Sequence, residues 1–237
     1  MEHHKTYKII YADPAWVYQD KANAGKRGAE HKYTCTPTEE MGKLLDNLQI
    51  DKDAVCLMWV TYPQLEEGLK LMKLWKFEFK TVAFTWVKQN RKSEGYFMGM
   101  GRYTRGNPEI VLLGTRGKSV PRVNAGIRNL QIHKISNHSQ KPNEIREEIV
   151  NLFGDLPRIE LFSREKVDGW DCWGNEVESD VQLIAKSKTQ GATPSLNMGL
   201  EVQKSKISSP KLSPTEITSP NTNIKSNRKE LLHALRN

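Results

Sequence analysis

Short apolar runs of strand length alternate along residues 1–177 with segments of helical periodicity. The strand-like runs are YKIIYA (7–12), AVCLMWV (54–60), FKTVAFTWV (79–87), EIVLLGT (109–115) and RIELF (158–162). The helix-like segments repeat apolar residues every three or four positions, and they are TEEMGKLLDNL (38–48), PQLEEGLKLMKLWK (63–76) and KPNEIREEIVNLFG (141–154). Buried strands that alternate with helices predict an α/β domain with a mostly parallel sheet.

Local patterns predict where the first helix begins and which face of the second helix is buried. Residues 36–39 form a capping-box pattern with Pro37 at the first helical position, which predicts the start of the first helix. In the second helix, Leu65, Leu69 and Met72 share one face of the helical period, so we expect them in the core.

The last sixty residues differ in composition from the rest of the chain. Residues 178–237 contain no Phe, Trp or Tyr and are rich in Ser, Thr, Asn, Lys and Pro. Such a segment cannot bury enough apolar surface to offset its chain entropy. The sequence therefore predicts a folded domain over residues 1–177 and a disordered, basic tail over residues 178–237.

Composition narrows the class of protein. The net charge is +8, which favours a polyanionic partner such as nucleic acid. No apolar run reaches the roughly 18 residues of a membrane span, and the N-terminus lacks the apolar region of a signal peptide. The three cysteines are too scattered for a disulfide framework or a zinc site. We therefore expect a cytoplasmic protein with no membrane partner and no metal.

The first strand ends in Asp13-Pro14-Ala15-Trp16, at the edge of the sheet where α/β proteins bind ligands. Pro14 fixes its own φ and biases Asp13 toward an extended conformation, which holds the carboxylate at the mouth of the strand. One interpretation is a turn with a packing tryptophan. The other is a site that holds the exocyclic amine of a planar base, between the Asp13 carboxylate and a main-chain carbonyl, with Trp16 or Tyr18 beside the ring.

A second candidate lies in ISNHSQKPNE (135–144), where Ser139 and Lys141 precede a helix that Pro142 starts. Backbone N–H groups and the helix dipole favour an anion at such a position, and Lys141 adds a positive charge. The alternative is a solvated lysine at a helix end.

A third candidate lies in IELFSREKVDGWDCWGNEV (159–177), where a strand is followed by Arg164, Asn175 and Glu176. These side chains are suited to ribose hydroxyls and an adenine edge. The alternative is a loop that folds back on the sheet. No Gly-x-Gly-x-x-Gly motif is present, which disfavours a nicotinamide dinucleotide.

Two predicted loops carry several basic side chains each. The basic residues of the first loop, 20–32, are Lys21, Lys26, Arg27 and Lys32. Those of the second, 88–106, include Arg91, Lys92, Arg102 and Arg105, beside Tyr96, Phe97 and Tyr103. Cations interleaved with aromatic rings suit contacts with a nucleic-acid backbone and its bases. We predict that both loops contact nucleic acid; the alternative is two solvated loops.

Taken in their order, these segments resemble the MT-A family, which contains the seventy-kilodalton catalytic subunit of the mRNA adenosine methyltransferase and its bacterial and phage relatives. The motifs that carry the resemblance are DPAW (13–16), WVT (59–61), HSQKPNE (138–144), IELFSR (159–164) and GWDCWGNEV (169–177). Together they cover roughly residues 7–177, the predicted methyltransferase domain.

The resemblance implies an α/β, Rossmann-like class I methyltransferase fold, permuted so that the catalytic motif precedes the cofactor motif. It implies S-adenosylmethionine as the cofactor and methyl transfer to the N6 amine of adenine. We favour DNA as the substrate because the predicted folded part is a single domain without an RNA-binding module. The alternatives are RNA adenosine or a non-catalytic nucleic-acid-binding partner subunit, and a homodimer or heterodimer stays open.

Motif matching also implies roles for single residues. Residues 13–16 would hold the target amine, and Tyr33 would line the acceptor pocket. The expected cofactor-binding residues are Asp13, Ser139, Lys141, Leu161, Phe162, Arg164, Asn175 and Glu176. The sequence departs from the family at Ala15, where a second proline is usual, and at Glu176, where the eukaryotic members have Gln.

Overall fold

The computed structural model of this protein describes residues 5–16, 36–101, 103–137 and 139–183. Its strands are β1 (Tyr7–Ala12), β2 (Ile50–Val60), β3 (Glu78–Gln89), β4 (Glu109–Arg116), β5 (Leu130–Lys134), β6 (Arg158–Leu161) and β7 (Asp171–Trp173). Its helices are α1 (Thr38–Gly42), α2 (Leu65–Leu74) and α3 (Glu144–Phe153). Short 3-10 turns follow α1 at Leu44–Asn47 and precede α2 at Tyr62–Gln64. No helix in this part of the chain is long and apolar enough to cross a membrane.

The strands form one sheet in the order β5-β3-β4-β2-β1-β6-β7. β1 pairs in parallel with β2 and β6, and the pairs β6–β7 and β3–β5 are also parallel. β4 is antiparallel to both of its neighbours, β2 and β3. Six of the described strands therefore point the same way, which confirms the predicted α/β fold with a mostly parallel, Rossmann-like sheet.

Helices cover both faces of the sheet, so the side chains of each strand alternate between two cores. Ile10 and Ala12 of β1 face the cluster that contains α1 and α2. Ile9 and Tyr11 face the cluster that contains α3. This two-sided burial explains why the sequence is apolar on both faces over residues 9–12 of β1 and 54–60 of β2.

Two strands were not predicted, and both lie at an edge of the sheet. β5 pairs only with β3, and two of its apolar side chains, Leu130 and Ile132, are exposed. β7 has three residues and pairs only with β6. An edge strand that is short or buries one face has no continuous apolar run, so the sequence lacks the signal that revealed the central strands.

The predicted capping box of α1 is wrong. Pro37 occupies the cap position rather than the first helical position, and no side chain caps the helix. The hydroxyl of Thr38 instead donates to the Glu67 carboxylate of α2. The first residue of α1 therefore makes a contact between two helices, and the helix start has no local side-chain cap.

The predicted buried face of α2 is rotated in the structure. Leu65 and Leu69 are more than one-third exposed, whereas Gly68, Leu71 and Met72 are buried. Gly68 allows close approach to β2, since a Cβ at this position would lie 2.4 Å from Cγ1 of Val60. The helix therefore packs Gly68 against the sheet, while Leu65 and Leu69 face away from it.

The folded domain continues past residue 177. Leu183 is 2% exposed and belongs to the core on the α1 and α2 face. Its carbonyl accepts a hydrogen bond from Nδ2 of Asn47, at 3.1 Å. Asp180 accepts from the backbone N–H of Cys172 in β7, at 2.9 Å. The described residues 178–183 therefore pack on the domain, while residues 184–237 lie outside the described part and their predicted disorder stays a prediction.

Candidate active site

The carboxyl ends of the parallel strands meet at one edge of the sheet, and antiparallel β4 begins at this same edge. Asp13 directly follows β1, and its backbone N–H donates to the carbonyl of Leu161 at the end of β6, at 3.4 Å. Lys88 lies at the end of β3, and Glu109 is the first residue of β4. The topology therefore brings together charged residues that are up to 128 positions apart in the chain.

Four charged side chains form a chain of ion pairs at this edge. Nζ of Lys141 lies 2.8 Å from Oδ2 of Asp13 and 3.3 Å from Oε2 of Glu109. Nζ of Lys88 lies 2.6 Å from Oε1 of Glu109. Each of the four side chains is less than one-quarter exposed. Two carboxylates and two ammonium groups alternate, so the cluster as a whole is neutral.

The ion pairs keep Lys141 and Glu109, the two central members of the cluster, charged. Burial acts to lower the pKa of Lys141, but the charges of Asp13 and Glu109 outweigh it and raise that pKa. Burial acts to raise the pKa of Glu109, but Lys141 and Lys88 outweigh it and lower that pKa. Lys141 is therefore a fixed cation between two carboxylates.

Asp13 behaves differently. Burial raises its pKa, and the negative charge of Glu109 adds to this effect. Lys141 opposes the rise, as does the positive charge of Arg164. A carboxylate with a raised pKa accepts hydrogen bonds and protons more strongly than an ordinary one, so Asp13 is the member of the cluster that is suited to proton and amine chemistry.

Aromatic rings support the two lysines. Nζ of Lys141 lies 5.6 Å from the ring centre of Trp59, and Nζ of Lys88 lies 5.1 Å from that of Trp86. The two indoles meet edge to face, with centres 6.1 Å apart. Nε1 of Trp59 also donates to the hydroxyl of Tyr11, at 2.5 Å. Cation–π contacts and this hydrogen bond hold the lysines in place.

Asn107 fixes the root of the loop that joins β3 and β4. Its side-chain oxygen accepts from the backbone N–H of Lys88 at 3.0 Å, and its Nδ2 donates to the carbonyl of Lys88 at 2.9 Å. Nδ2 also donates to the carbonyl of Phe97. The backbone of a charged-cluster residue and the loop are therefore tied together by one side chain.

The ends of β6 and β7 form the second part of the edge. Phe162 has a left-handed backbone conformation, with φ of 62°, and its ring meets that of Trp173 edge to face at 5.6 Å. Nε of Arg164 lies 3.6 Å from Oε1 of Glu176, and both side chains are at least one-third exposed. A non-glycine residue in this conformation stores strain of a kind that clusters at ligand sites.

A buried ion pair underlies this second part. Arg146 of α3 binds the Glu160 carboxylate of β6 with two hydrogen bonds, 2.7 Å from Nε to Oε2 and 3.0 Å from Nη2 to Oε1. Nη1 of Arg146 also donates to Oε1 of Glu165 in the following loop, at 3.2 Å. The bidentate pair fixes α3 against β6, and the residues that precede α3 and follow β6 lie at the edge.

The structure brings together several predicted site residues. Asp13 pairs with Lys141, and Arg164 pairs with Glu176, while Asn175 lies exposed beside Glu176. Pro14 is buried and Ala15 is half-buried, in the segment that follows β1. Sequence reasoning missed Glu109 and Asn107, because no motif marks them, and it included Lys88 only as the first residue of the predicted nucleic-acid loop 88–106.

Other predicted contacts differ from expectation. Trp16 is 5% exposed and belongs to the core, where its Nε1 donates to the carbonyl of Trp59 at 3.3 Å, so its ring is not presented for stacking on a base. Leu161 is also fully buried in that core. The tetrapeptide thus contains both a packing tryptophan and an available carboxylate, which combines the two interpretations drawn from the sequence.

The helix that follows Ser139 and Lys141 begins later than the sequence predicts. α3 begins at Glu144 with Asn143 as its cap, so Ser139 precedes the helix by five residues. The residue before a proline disfavours the helical conformation, which explains why Lys141 stays outside the helix. Ser139 instead adopts a left-handed turn, with φ of 58°, which returns the chain toward the sheet edge.

The predicted nucleic-acid contacts divide into two groups. Arg91, Lys92 and Arg105 are exposed on the loop between β3 and β4. Lys26, Arg27, Tyr33 and Arg102 lie outside the described residues.

Comparison with known proteins gives a consistent result. The family model described as MT-A70 matches residues 7–176. The chain is 35% identical over 192 residues to the type II methyltransferase M.MunI of a Mycoplasma species, which covers 73% of this chain and 78% of that protein. It is 25% identical over 190 residues to the human N(6)-adenosine-methyltransferase catalytic subunit METTL3, covering 77% of this chain and 31% of that subunit. It is 28% identical over 197 residues to the human N(6)-adenine-specific methyltransferase METTL4, covering 75% of this chain and 39% of that protein.

Proposed function

This chain belongs to the MT-A70 family, and on that premise we propose that it transfers a methyl group from S-adenosylmethionine to the N6 amine of adenine in DNA. The observation that carries the proposal is the Asp13 carboxylate, which a 2.8 Å ion pair with Lys141 holds at the end of β1. A partly buried carboxylate with a raised pKa, placed where α/β sheets bind ligands, suits the binding of an acceptor amine.

The second part of the sheet edge fits S-adenosylmethionine. Arg164 and Glu176 supply a donor and an acceptor for ribose hydroxyls, and Asn175 supplies an amide for the adenine edge. Phe162, which has a left-handed backbone conformation, packs its ring against Trp173 in the same part of the edge. When bound, the cofactor supplies an electrophilic methyl group.

Asp13 prepares the acceptor amine. The lone pair of an adenine amine is delocalised into the ring, which makes it a poor nucleophile. An N–H hydrogen bond to the Asp13 carboxylate, and a second to the carbonyl of Pro14, favour a pyramidal nitrogen with a localised pair. Both acceptors are fixed before the substrate arrives, because Asp13 is held by Lys141 and the Pro14 carbonyl accepts from the backbone N–H of Trp16 at 3.0 Å. Preorganised acceptors of this kind stabilise charge as it develops.

The same carboxylate suits the proton that must leave after transfer. The methylated amine carries a positive charge and is acidic, so a neighbouring carboxylate with a raised pKa can take its proton. Lys141 cannot serve as the base, because the charges of Asp13 and Glu109 raise its pKa and keep it protonated. We therefore assign Asp13 to acceptor binding and proton removal, and Lys141 to positioning Asp13.

Two observations support a nucleic-acid substrate, and the first of them favours DNA over RNA. M.MunI, a type II methyltransferase, is similar over 78% of its own length. The human METTL3 and METTL4 proteins named above are similar over only 31% and 39% of their own lengths. Exposed Arg91, Lys92 and Arg105 supply positive charge for the phosphate backbone. A bacterial or phage origin, which the motifs imply, would place enzyme and DNA together in the cytoplasm.

A nucleoside analysis tests this proposal. The full-length protein is incubated with methyl-labelled S-adenosylmethionine and with DNA or RNA oligonucleotides of matched sequence, which are then digested to nucleosides. We expect labelled N6-methyldeoxyadenosine from DNA. Label confined to RNA would contradict the choice of polymer. Bound cofactor without label in either polymer would identify the chain as a non-catalytic partner subunit instead.

A further inference from the structure

The loop between β3 and β4 presents large apolar side chains to solvent. We call residues 90–106 the arm. Met98 is 72% exposed and Met100 is 81% exposed, and neighbouring Tyr96 is more than half exposed. Clustered apolar side chains on a protein surface mark a site that another molecule covers. Exposed apolar side chains of this kind are a feature of binding surfaces.

The arm has a defined internal structure. The backbone N–H of Gly99 donates to the carbonyl of Gly106 at 2.7 Å, which closes a turn around Met100. Inside this turn, a Cβ on Gly101 would lie 2.0 Å from the carbonyl oxygen of Thr104, so only glycine fits. A second bridge joins Gln89 to Tyr96 nearer the root. These contacts hold Met100 out from the domain rather than letting it fold back onto the core.

The root of the arm is part of the candidate active site. Asn107 ties the backbone of Lys88 to the carbonyl of Phe97, inside the arm. The ammonium of the same Lys88 pairs with Glu109, which pairs with Lys141 and so with Asp13. The root of the arm and the Asp13 carboxylate are therefore joined by one continuous set of hydrogen bonds and ion pairs.

The charge of the arm selects the kind of partner. Its sequence contains Arg91, Lys92, Arg102 and Arg105, against the single acidic residue Glu94. A partner that offers phosphates at its surface and apolar stacked rings in its interior satisfies both the cations and the methionines. Duplex DNA has both features, whereas a protein surface of ordinary composition matches the methionines alone.

We propose that the arm is a wedge that enters the DNA duplex beside the target adenine. This inference rests on the proposed function, because an adenine must leave the duplex stack before its N6 amine can reach Asp13. Met98 and Met100 fill the vacated space in the stack, and the basic side chains hold the flanking phosphates. Apolar side chains of other proteins, methionine included, insert between base pairs in this way, and the flexible thioether adapts to an irregular gap.

The test compares three DNA substrates with one pair of variants. The double variant Met98→Ser/Met100→Ser removes the apolar tip, and Met98→Leu/Met100→Leu keeps it as the matched control. Because the side chains of Met98 and Met100 are exposed, we expect both double variants to fold. Thermal unfolding checks this. The substrates are an intact duplex, the same duplex with an abasic site opposite the target adenine, and the single strand.

We expect the serine variant to lose at least about tenfold in kcat/KM on the intact duplex. Its activity on the abasic duplex and the single strand changes by less than about threefold, because the target adenine is already unpaired there. The leucine variant stays close to the original protein on all three substrates. With 2-aminopurine at the target position, the fluorescence increase on binding is lost only in the serine variant.

Several results would overturn the wedge. Equal activity of the serine variant and the original protein on the intact duplex would do so, as would an equal loss on all three substrates. A lower molar mass of the serine variant in sedimentation would assign the arm to contact between copies of the chain instead. An original protein that methylates only the single strand also contradicts the wedge, whereas one that methylates no adenine contradicts the proposed function itself.

Discussion

At the scale of single residues, the site depends on Lys141 having two carboxylate partners. Its ammonium lies between Asp13 and Glu109, and Lys88 balances the second carboxylate from the other side. Removing one member of a partly buried ion-pair chain leaves a neighbour without its counter-charge. The pKa of Asp13, rather than its position alone, should therefore respond to changes at the other members.

Substitutions at Lys141 and Glu109 should move the acid limb of the pH profile in opposite directions. Ionised Asp13 is the active form, so activity is present above its pKa and lost as the pH falls through it. Lys141 lowers the pKa of Asp13 and Glu109 raises it. The limb in kcat/KM should therefore move to higher pH in Lys141→Met and to lower pH in Glu109→Gln. Limbs that move the same way, or stay in place, would show that Asp13 does not set the profile.

Motifs located Asp13 and Lys141 from the sequence, but they could not locate Glu109. Asp13 and Lys141 lie in segments whose residue types and order are distinctive, DPAW and HSQKPNE. Glu109 begins an ordinary apolar strand and has no neighbour that suggests chemistry. Its role follows from a pairing direction, which depends on contacts with β2 and β3 that are distant in the chain. The burial of Trp16 likewise depends on a contact with Trp59 that no local pattern encodes.

At the scale of elements, apolar periodicity predicted the central strands and the existence of the helices, but it did not fix the helix faces. The periodicity of α2 allows several apolar faces, and the structure uses the face that contains Gly68. Close approach to β2 decided the choice, since the glycine lets the helix backbone lie against Val60. A packing constraint between elements has therefore overridden the largest local apolar signal.

The substitution Gly68→Ala should destabilise the protein although alanine is the better helix former. The gain in helix propensity is about 1 kcal/mol, but the added Cβ would lie 2.4 Å from Cγ1 of Val60. Overpacking of this kind costs about 1–3 kcal/mol, so we expect a lower urea midpoint for unfolding. Gly106→Ala serves as the control, because nothing lies within 4 Å of its added Cβ. A midpoint that rises in Gly68→Ala would show that α2 does not approach β2 so closely.

At the scale of the whole molecule, the sheet edge brings together two sets of side chains that lie far apart in the sequence. The acceptor set consists of Asp13 after β1, Lys88 at the end of β3, Glu109 at the start of β4 and Lys141 after β5. The cofactor set consists of residues that follow β6 and β7. The positive charge of Arg164, in the second set, acts on the pKa of Asp13 in the first. The sheet order that produces this meeting, with β1 between β2 and β6, could not be read from periodicity, which reports burial and not adjacency.

Truncation should show that the domain ends near residue 183 and not at 177. A protein that ends at residue 177 loses the buried Leu183 and the bonds of Asp180 to Cys172 and Lys166. Burial of one leucine contributes about 1.5–3 kcal/mol, so its urea midpoint should fall clearly below that of the full chain. A protein that ends at residue 183 should match the full chain. Equal midpoints for both truncations would place the boundary at 177, as composition alone predicts.

The central claim is that the Asp13 carboxylate binds the adenine amine and takes its proton during methyl transfer. The substitution Asp13→Asn tests this claim most directly. The measurement is the single-turnover rate of N6-methyldeoxyadenosine formation at saturating S-adenosylmethionine and DNA, quantified by mass spectrometry of digested nucleosides. Asp46→Asn makes the same chemical change at an exposed position outside the site and serves as the control. We predict a rate at least about 100-fold lower for Asp13→Asn, with DNA binding retained and Asp46→Asn unchanged. A rate for Asp13→Asn within about twofold of the original protein would contradict the account.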